Sequence, residues 1–138
     1  MIQFINEDSD FRLKEKNQVK KWISKVIREY KKLPGHLSFV FCTDEYLLKV
    51  NQDFLQHDYY TDIITFDYSE DNKISGDLII SIDRVRDNAK QLNLSFDDEL
   101  SRVMIHGVLH LLGFGDKTAK EEKKMRTLEL AALSQRFD

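Results

Sequence analysis

A chain of 138 residues is long enough to bury a sizeable core, and its length fits one domain spanning residues 1–138. Hydrophobic residues at 41% and charged residues at 33% exclude collagen-like and disordered classes, and no apolar run is long enough to span a membrane. A formal net charge of −3 argues against a protein that coats nucleic acid by bulk attraction, and a single cysteine, Cys42, excludes an internal disulfide.

Residues 2–6 read as a short opening strand, and Asp8, Ser9 and Asp10 as a polar turn. The start lacks a basic-then-apolar signal segment, so the cytoplasm is the expected address. Across residues 16–32, Val19, Trp22, Ile23, Val26, Ile27 and Tyr30 recur at helical spacing, with Lys20, Lys21, Lys25, Arg28, Lys31 and Lys32 on the other face. That basic face reads as solvated surface, with a phosphate-contacting patch as the competing reading. Pro34 and Gly35 are expected to close this helix, and His36 to lie in a turn. Residues 37–42 form an apolar run that fits a buried strand holding the Cys42 thiol.

Thr43 or Asp44 can cap a following helix whose apolar face is Tyr46, Leu47, Val50, Phe54 and Leu55. A polar connection over residues 56–60 leads through Thr61 and Asp62 into a strand at residues 63–66. An Asn- and Asp-rich turn at residues 69–75 and the strand opened by Gly76 and Asp77 complete an expected antiparallel pair. Asp62 and Asp77 read as loop or strand-end residues that bond to backbone. Residues 82–92 read as a helix ending near Asn93. Ser95 then caps another, with Asp97, Asp98 and Glu99 in its first turn, where the helix dipole favours negative charge. Leu100, Val103, Met104, Val108, Leu111 and Leu112 make that helix apolar around much of its circumference, so it should run through the core. Thr118 and Glu121 fit a capping box for a last helix carrying Met125, Leu128, Leu130, Ala132 and Leu133. This order predicts an α+β fold: one small mixed sheet of about four strands packed with about five helices.

Chemistry concentrates at the end of the helix expected to run through the core. His106 and His110, four apart, share one helix face, and Gly113 can take the left-handed backbone that ends a helix. Past that turn, Asp116 can swing back towards both imidazoles. Two imidazole nitrogens and a carboxylate oxygen are good zinc ligands, and three protein ligands with an open fourth position are the pattern of a catalytic site. The spacing H-x3-H-x2-G-x2-D is zincin-like, with aspartate as third ligand but without the glutamate that follows the first histidine in zinc peptidases; Gly107 stands there. A half-buried polar pair of histidines is the plainer alternative.

The stretch from His106 to Asp116 resembles the HGxLHLxGYDH signature of the YbeY family of metal-dependent endoribonucleases implicated in ribosomal RNA maturation. Asn51, Phe54 and residues 61–66 resemble that family's LNxxYR…PTDVLSF segment; residues 76–80 resemble its GDIxI strand. Glu122, Met125, Leu128 and Glu129 resemble the E..M..LE pattern of its last helix. Three positions depart. Asp116 stands where the family has a third histidine, Leu55 where it usually has an arginine, and Tyr60 where it has a proline. Asp116 can still bind zinc, but its charge lowers the effective positive charge of the ion. Leu55 removes a guanidinium that would stabilise developing charge on a phosphoryl oxygen.

The resemblance implies a single-strand-type endoribonuclease holding one zinc per chain through His106, His110 and Asp116 and acting on a ribosomal RNA precursor. His106 would also belong to the catalytic group, with Arg102 and Lys117 as candidates to replace the missing arginine. A ribosomal subunit or ribosomal protein is a further implied partner, and a membrane is not. The alternative is a non-catalytic ribosome-assembly or RNA-binding factor with a structural metal site. A metallopeptidase ranks last because of Gly107.

Overall fold

The computed structural model describes residues 1–55 and 61–136. The expected polar connection at residues 56–60, with Tyr60, lies outside the described residues. The elements follow as β1 (Ile2–Asn6), α1 (Lys16–Glu29), β2 (Leu33–Cys42), α2 (Asp44–Leu55) and β3 (Ile63–Asp67). After them come β4 (Lys73–Ser81), α3 (Ile82–Leu92), α4 (Phe96–Leu111) and α5 (Ala119–Leu133). The four strands form one mixed sheet in the order β1-β2-β4-β3. Strands β1 and β4 run parallel to β2, while β3 pairs antiparallel with β4 as the short Asn- and Asp-rich turn requires. The α+β class read from the element order is the class observed.

Alternation along the strands divides the core. Leu37, Phe39, Phe41, Leu78 and Ile80 join one buried cluster with Trp22, Ile23 and Ile27 of α1 and Val103, Met104 and Ile105 of α4. On the opposite face Cys42 and Ile64 pack with Leu47 of α2, flanked by Tyr46, Val50, Phe66 and Ile79. Each large aliphatic or aromatic side chain buried this way contributes about 1.5–3 kcal/mol. The indole N–H of Trp22 donates to the Ala132 carbonyl at 2.8 Å, tying α1 to α5.

Helix ends follow local chemistry. Ser95 accepts from the Asp98 N–H at 3.1 Å, Thr118 and Glu121 form the reciprocal capping box, and Asn93 takes the left-handed backbone after α3. Thr43 caps α2 through its hydroxyl, which accepts from the Tyr46 N–H at 3.2 Å. Ser81 caps α3 in the same way, accepting from Arg84 at 3.1 Å.

Four expectations are corrected. Helix α1 stops at Glu29, because Lys31 is left-handed at φ 60° and the N–H groups of Tyr30 and Lys31 turn back to Ile27 and Arg28. Pro34 and Gly35 therefore do not close it; they lie in β2, where the pairing with β4 slips between Pro34 and Leu37. His36 sits at that irregularity rather than in a turn, its N–H donating to the Ser75 hydroxyl at 3.0 Å. Asp77 is inside β4, paired with Ser38 and Phe66, because β4 begins at Lys73, ahead of the expected opening at Gly76. The apolar stripes of α2 and α5 are narrower than expected: Phe54 is 69%, Leu55 40% and Leu130 69% exposed.

Candidate metal centre

Helix α4 lies close against the sheet because residue 107 has no side chain. A Cβ there would stand 2.6 Å from Leu78 Cδ2 and 2.7 Å from Ile63 Cδ1. Position 107 thus abuts β3 and β4, while its neighbour His106 and, one turn on, His110 stand on the half-buried side of the helix. Gly113 then ends the helix in the left-handed region at φ 104°, its N–H bonding to the His110 carbonyl at 2.9 Å and that of Phe114 to Leu109 at 3.1 Å. That turn brings Asp116 back over the two rings.

The three side chains read from the spacing converge. His106 Nε2 and His110 Nε2 are 2.9 Å apart, and Asp116 Oδ2 is 3.3 Å from each. Ligand atoms on a tetrahedral zinc with ~2.0–2.1 Å bonds are about 3.3–3.4 Å from one another, so the triangle fits such an ion after a small outward adjustment. The hydrogen bonds behind the rings fix which nitrogen faces it. His110 Nδ1 lies 2.9 Å from the Phe114 carbonyl, which can only accept, so Nδ1 carries the proton and Nε2 offers a lone pair. His106 Nδ1 lies 2.6 Å from Glu129 Oε2, with the same consequence. Three acceptors therefore face one point, with no donor supplied by the trio when both imidazoles are neutral. Such an arrangement could hold a metal ion.

A ring of charge stands behind His106. Glu129 of α5 is buried, and so is Glu99 of α4. Arg102 donates from Nε and Nη2 to the two Glu99 oxygens at 2.8 and 2.7 Å. It also stands 3.6 Å from Glu129 and 3.8 Å from Asp62. Burial alone would lower the His106 pKa; the Glu129 hydrogen bond and charge, with Asp116 and Asp62, outweigh it and hold the imidazolium above its ordinary range. Burial raises the Asp62 carboxyl, against the opposing pull of Arg102 and His106. Hydrogen bonding to Glu99 is the largest influence on Arg102, whose pKa moves further up.

Sequence reasoning named His106, His110 and Asp116, and the structure brings them together. Arg102, named as a stand-in for the missing arginine, has its guanidinium among three carboxylates. Lys117 is exposed beside Asp116. Asp62, read as bonding to backbone, does take a backbone hydrogen bond on its carboxylate, and the same group also meets Asn88 at 3.3 Å and Arg102 at 3.8 Å. Glu129 had no assigned role. Its signal was a carboxylate between Met125 and Ala132 on the buried stripe of α5, where an apolar residue is the default.

Comparison with known proteins places these features in context. A family model described as Endoribonuclease YbeY matches residues 3–136. The chain is 50% identical over 136 residues to a Cytophaga hutchinsonii protein named Endoribonuclease YbeY, covering 98% of this chain and 95% of that protein. It is 56% identical over 115 residues to the Porphyromonas gingivalis protein of the same name, covering 83% and 76%. Among solved structures, the solution structure of TM1509 from Thermotoga maritima superposes with a TM-score of 0.65 at 24% identity, covering 98% of this chain and 91% of that one. That likeness concerns the fold.

Proposed function

The chain belongs to the YbeY endoribonuclease family, and from that premise we propose that it is a zinc-dependent endoribonuclease acting on single-stranded segments of ribosomal RNA precursors in the cytoplasm. The observation that carries the reading is the convergence of His106 Nε2, His110 Nε2 and Asp116 Oδ2 as three acceptors around one point. One zinc per chain, held by these three, would supply Lewis acidity at a phosphoryl oxygen and lower the pKa of the attacking hydroxyl.

The chain's own residues do the rest. The Phe114 carbonyl and Glu129 lie behind the two imidazoles and leave each Nε2 turned to the point at which a metal would be held. Lys117, exposed next to Asp116, offers a mobile positive charge to a non-bridging phosphate oxygen. The exposed Lys21, Lys25 and Arg28 of α1 offer sequence-independent contacts to the RNA backbone. Peptide hydrolysis by the glutamate-assisted route finds no support, since position 107 packs against Leu78 and Ile63.

Metal analysis by mass spectrometry beside an RNA-cleavage assay tests the proposal. About one zinc per chain is expected, with cleavage abolished by a chelator and by His110→Ala. Full metal content with no cleavage of structured or single-stranded RNA would overturn it. Leu55, an exposed apolar residue in the place of the family's arginine, favours a second reading: a ribosome-assembly factor with a structural metal site. Normal ribosomal RNA ends in cells carrying only a folded His110→Ala protein would favour that reading instead.

A further inference from the structure

We propose that Glu129 is a positioning residue for His106 and that Arg102 and Glu99 hold Glu129 in place, so that three residues outside the acceptor triangle set its affinity for a metal ion. The inference rests on reading His106, His110 and Asp116 as a metal site.

Glu129 reaches His106 from a different helix. Its Oε2 is 2.6 Å from Nδ1, and its side chain is 6% exposed. On α5 the buried positions are Met125, Glu129 and Ala132, a stripe at helical spacing in which the middle member is ionisable. Burying a carboxylate is costly unless it is paired. The pairing here is specific: one oxygen takes the imidazole Nδ1–H, and the other lies 3.6 Å from Arg102 Nη1. Arg102 is itself fixed by the two-pronged contact with Glu99, which is fully buried. The chain of contacts runs Glu99, Arg102, Glu129, His106, and ends on the nitrogen opposite the one aimed at Asp116.

Two consequences follow from this geometry. A carboxylate on Nδ1 selects the Nδ1–H tautomer and raises the basicity of Nε2, the nitrogen available to an ion. Arg102, with its fork occupied by Glu99 and its remaining edge facing Glu129 and Asp62, acts on this scaffold rather than on phosphate. Its place in catalysis is indirect, through the orientation of His106.

The test measures zinc affinity by competition with a chromophoric chelator, and the His106 tautomer by long-range proton–nitrogen NMR, in the full chain. Glu129→Ala should weaken zinc binding by roughly 10–100-fold and release His106 into a mixture of tautomers. Glu129→Gln, nearly isosteric and able to accept from Nδ1–H, should fall between wild type and Glu129→Ala in affinity and keep the tautomer. Arg102→Met should weaken zinc several-fold although it touches no ligand atom. A folded Glu129→Ala protein that binds zinc within twofold of wild type, with His106 unchanged, overturns the proposal. Should that variant not fold, wild-type affinity in Glu129→Gln overturns it. A wild-type protein that binds no zinc defeats the metal-site reading itself, while the NMR tautomer still reports on whether Glu129 governs His106.

Discussion

Removing Arg102 gives the sharpest test of how this corner of the protein is held together. Arg102→Met leaves Glu99, with 0% of its surface exposed, facing its former partner without a counter-charge. Breaking a buried ion pair from one side costs about 3–5 kcal/mol. The Arg102 side chain keeps 29% exposure, so water can partly reach the vacated space, and the lower end of that range, about 3 kcal/mol, applies. Against a total stability of about 5–15 kcal/mol for a domain, that is a large loss. The double variant Glu99→Leu, Arg102→Met should recover most of it, because replacing both partners with apolar groups is often neutral or stabilising. The coupling energy between the two sites should then be about 2–3 kcal/mol. Urea unfolding followed by circular dichroism and by the fluorescence of Trp22, the chain's one tryptophan, measures each value. The melts are run in chelator so that metal binding adds nothing to the folded state. A single-variant cost below about 1 kcal/mol, with no coupling, would refute the view that Glu99 depends on Arg102.

Two further outcomes are expected. Gly107→Val should lose more than about 2 kcal/mol by urea unfolding, since overpacking costs about 1–3 kcal/mol and a β-branched residue regains little helix propensity over glycine; a variant as stable as wild type would mean that α4 can retreat from Leu78 and Ile63. RNA affinity should fall with rising salt, and replacing Lys21, Lys25 and Arg28 with glutamine should flatten the log–log slope by up to about 3; an unchanged slope in filter binding would remove the α1 face from the RNA contact.

What the sequence made legible was what neighbouring residues decide. Ser95, Thr118 with Glu121, Asn93 and Gly113 each act within four residues of themselves, and each helix end they signal is present. The His106, His110, Asp116 spacing is equally local, since one helix turn and one glycine bend carry it. What depends on a distant partner was hidden. Pro34 and Gly35 are punctuation in isolation, yet they lie in β2 because β4 pairs with Leu33 and Pro34 on the far side of the slip. Glu129 lies 23 residues from His106, and nothing short-range in α5 says that its carboxylate meets that ring. Asp62 needs α3 and α4 in place before Asn88 and Arg102 come within reach.

One pattern was visible and links these observations. Glu99, Arg102, His106 and His110 are spaced by three, four and four residues, so they form one polar stripe along a helix whose other faces are core. A polar stripe on a helix is normally its solvent side. Here the stripe is closed at its first turn, where Glu99 is fully buried, and opens at its last, where the Asp116 side chain is 39% exposed. The open end is also the C-terminus of α4, the negative end of the helix dipole, which favours positive charge. Fixed electrostatics at that end, Asp116 together with the helix terminus, attract a cation and disfavour a phosphodiester. Apart from Lys117, exposed beside Asp116, the positive charge that would draw a phosphodiester to this corner has to come from a bound cation.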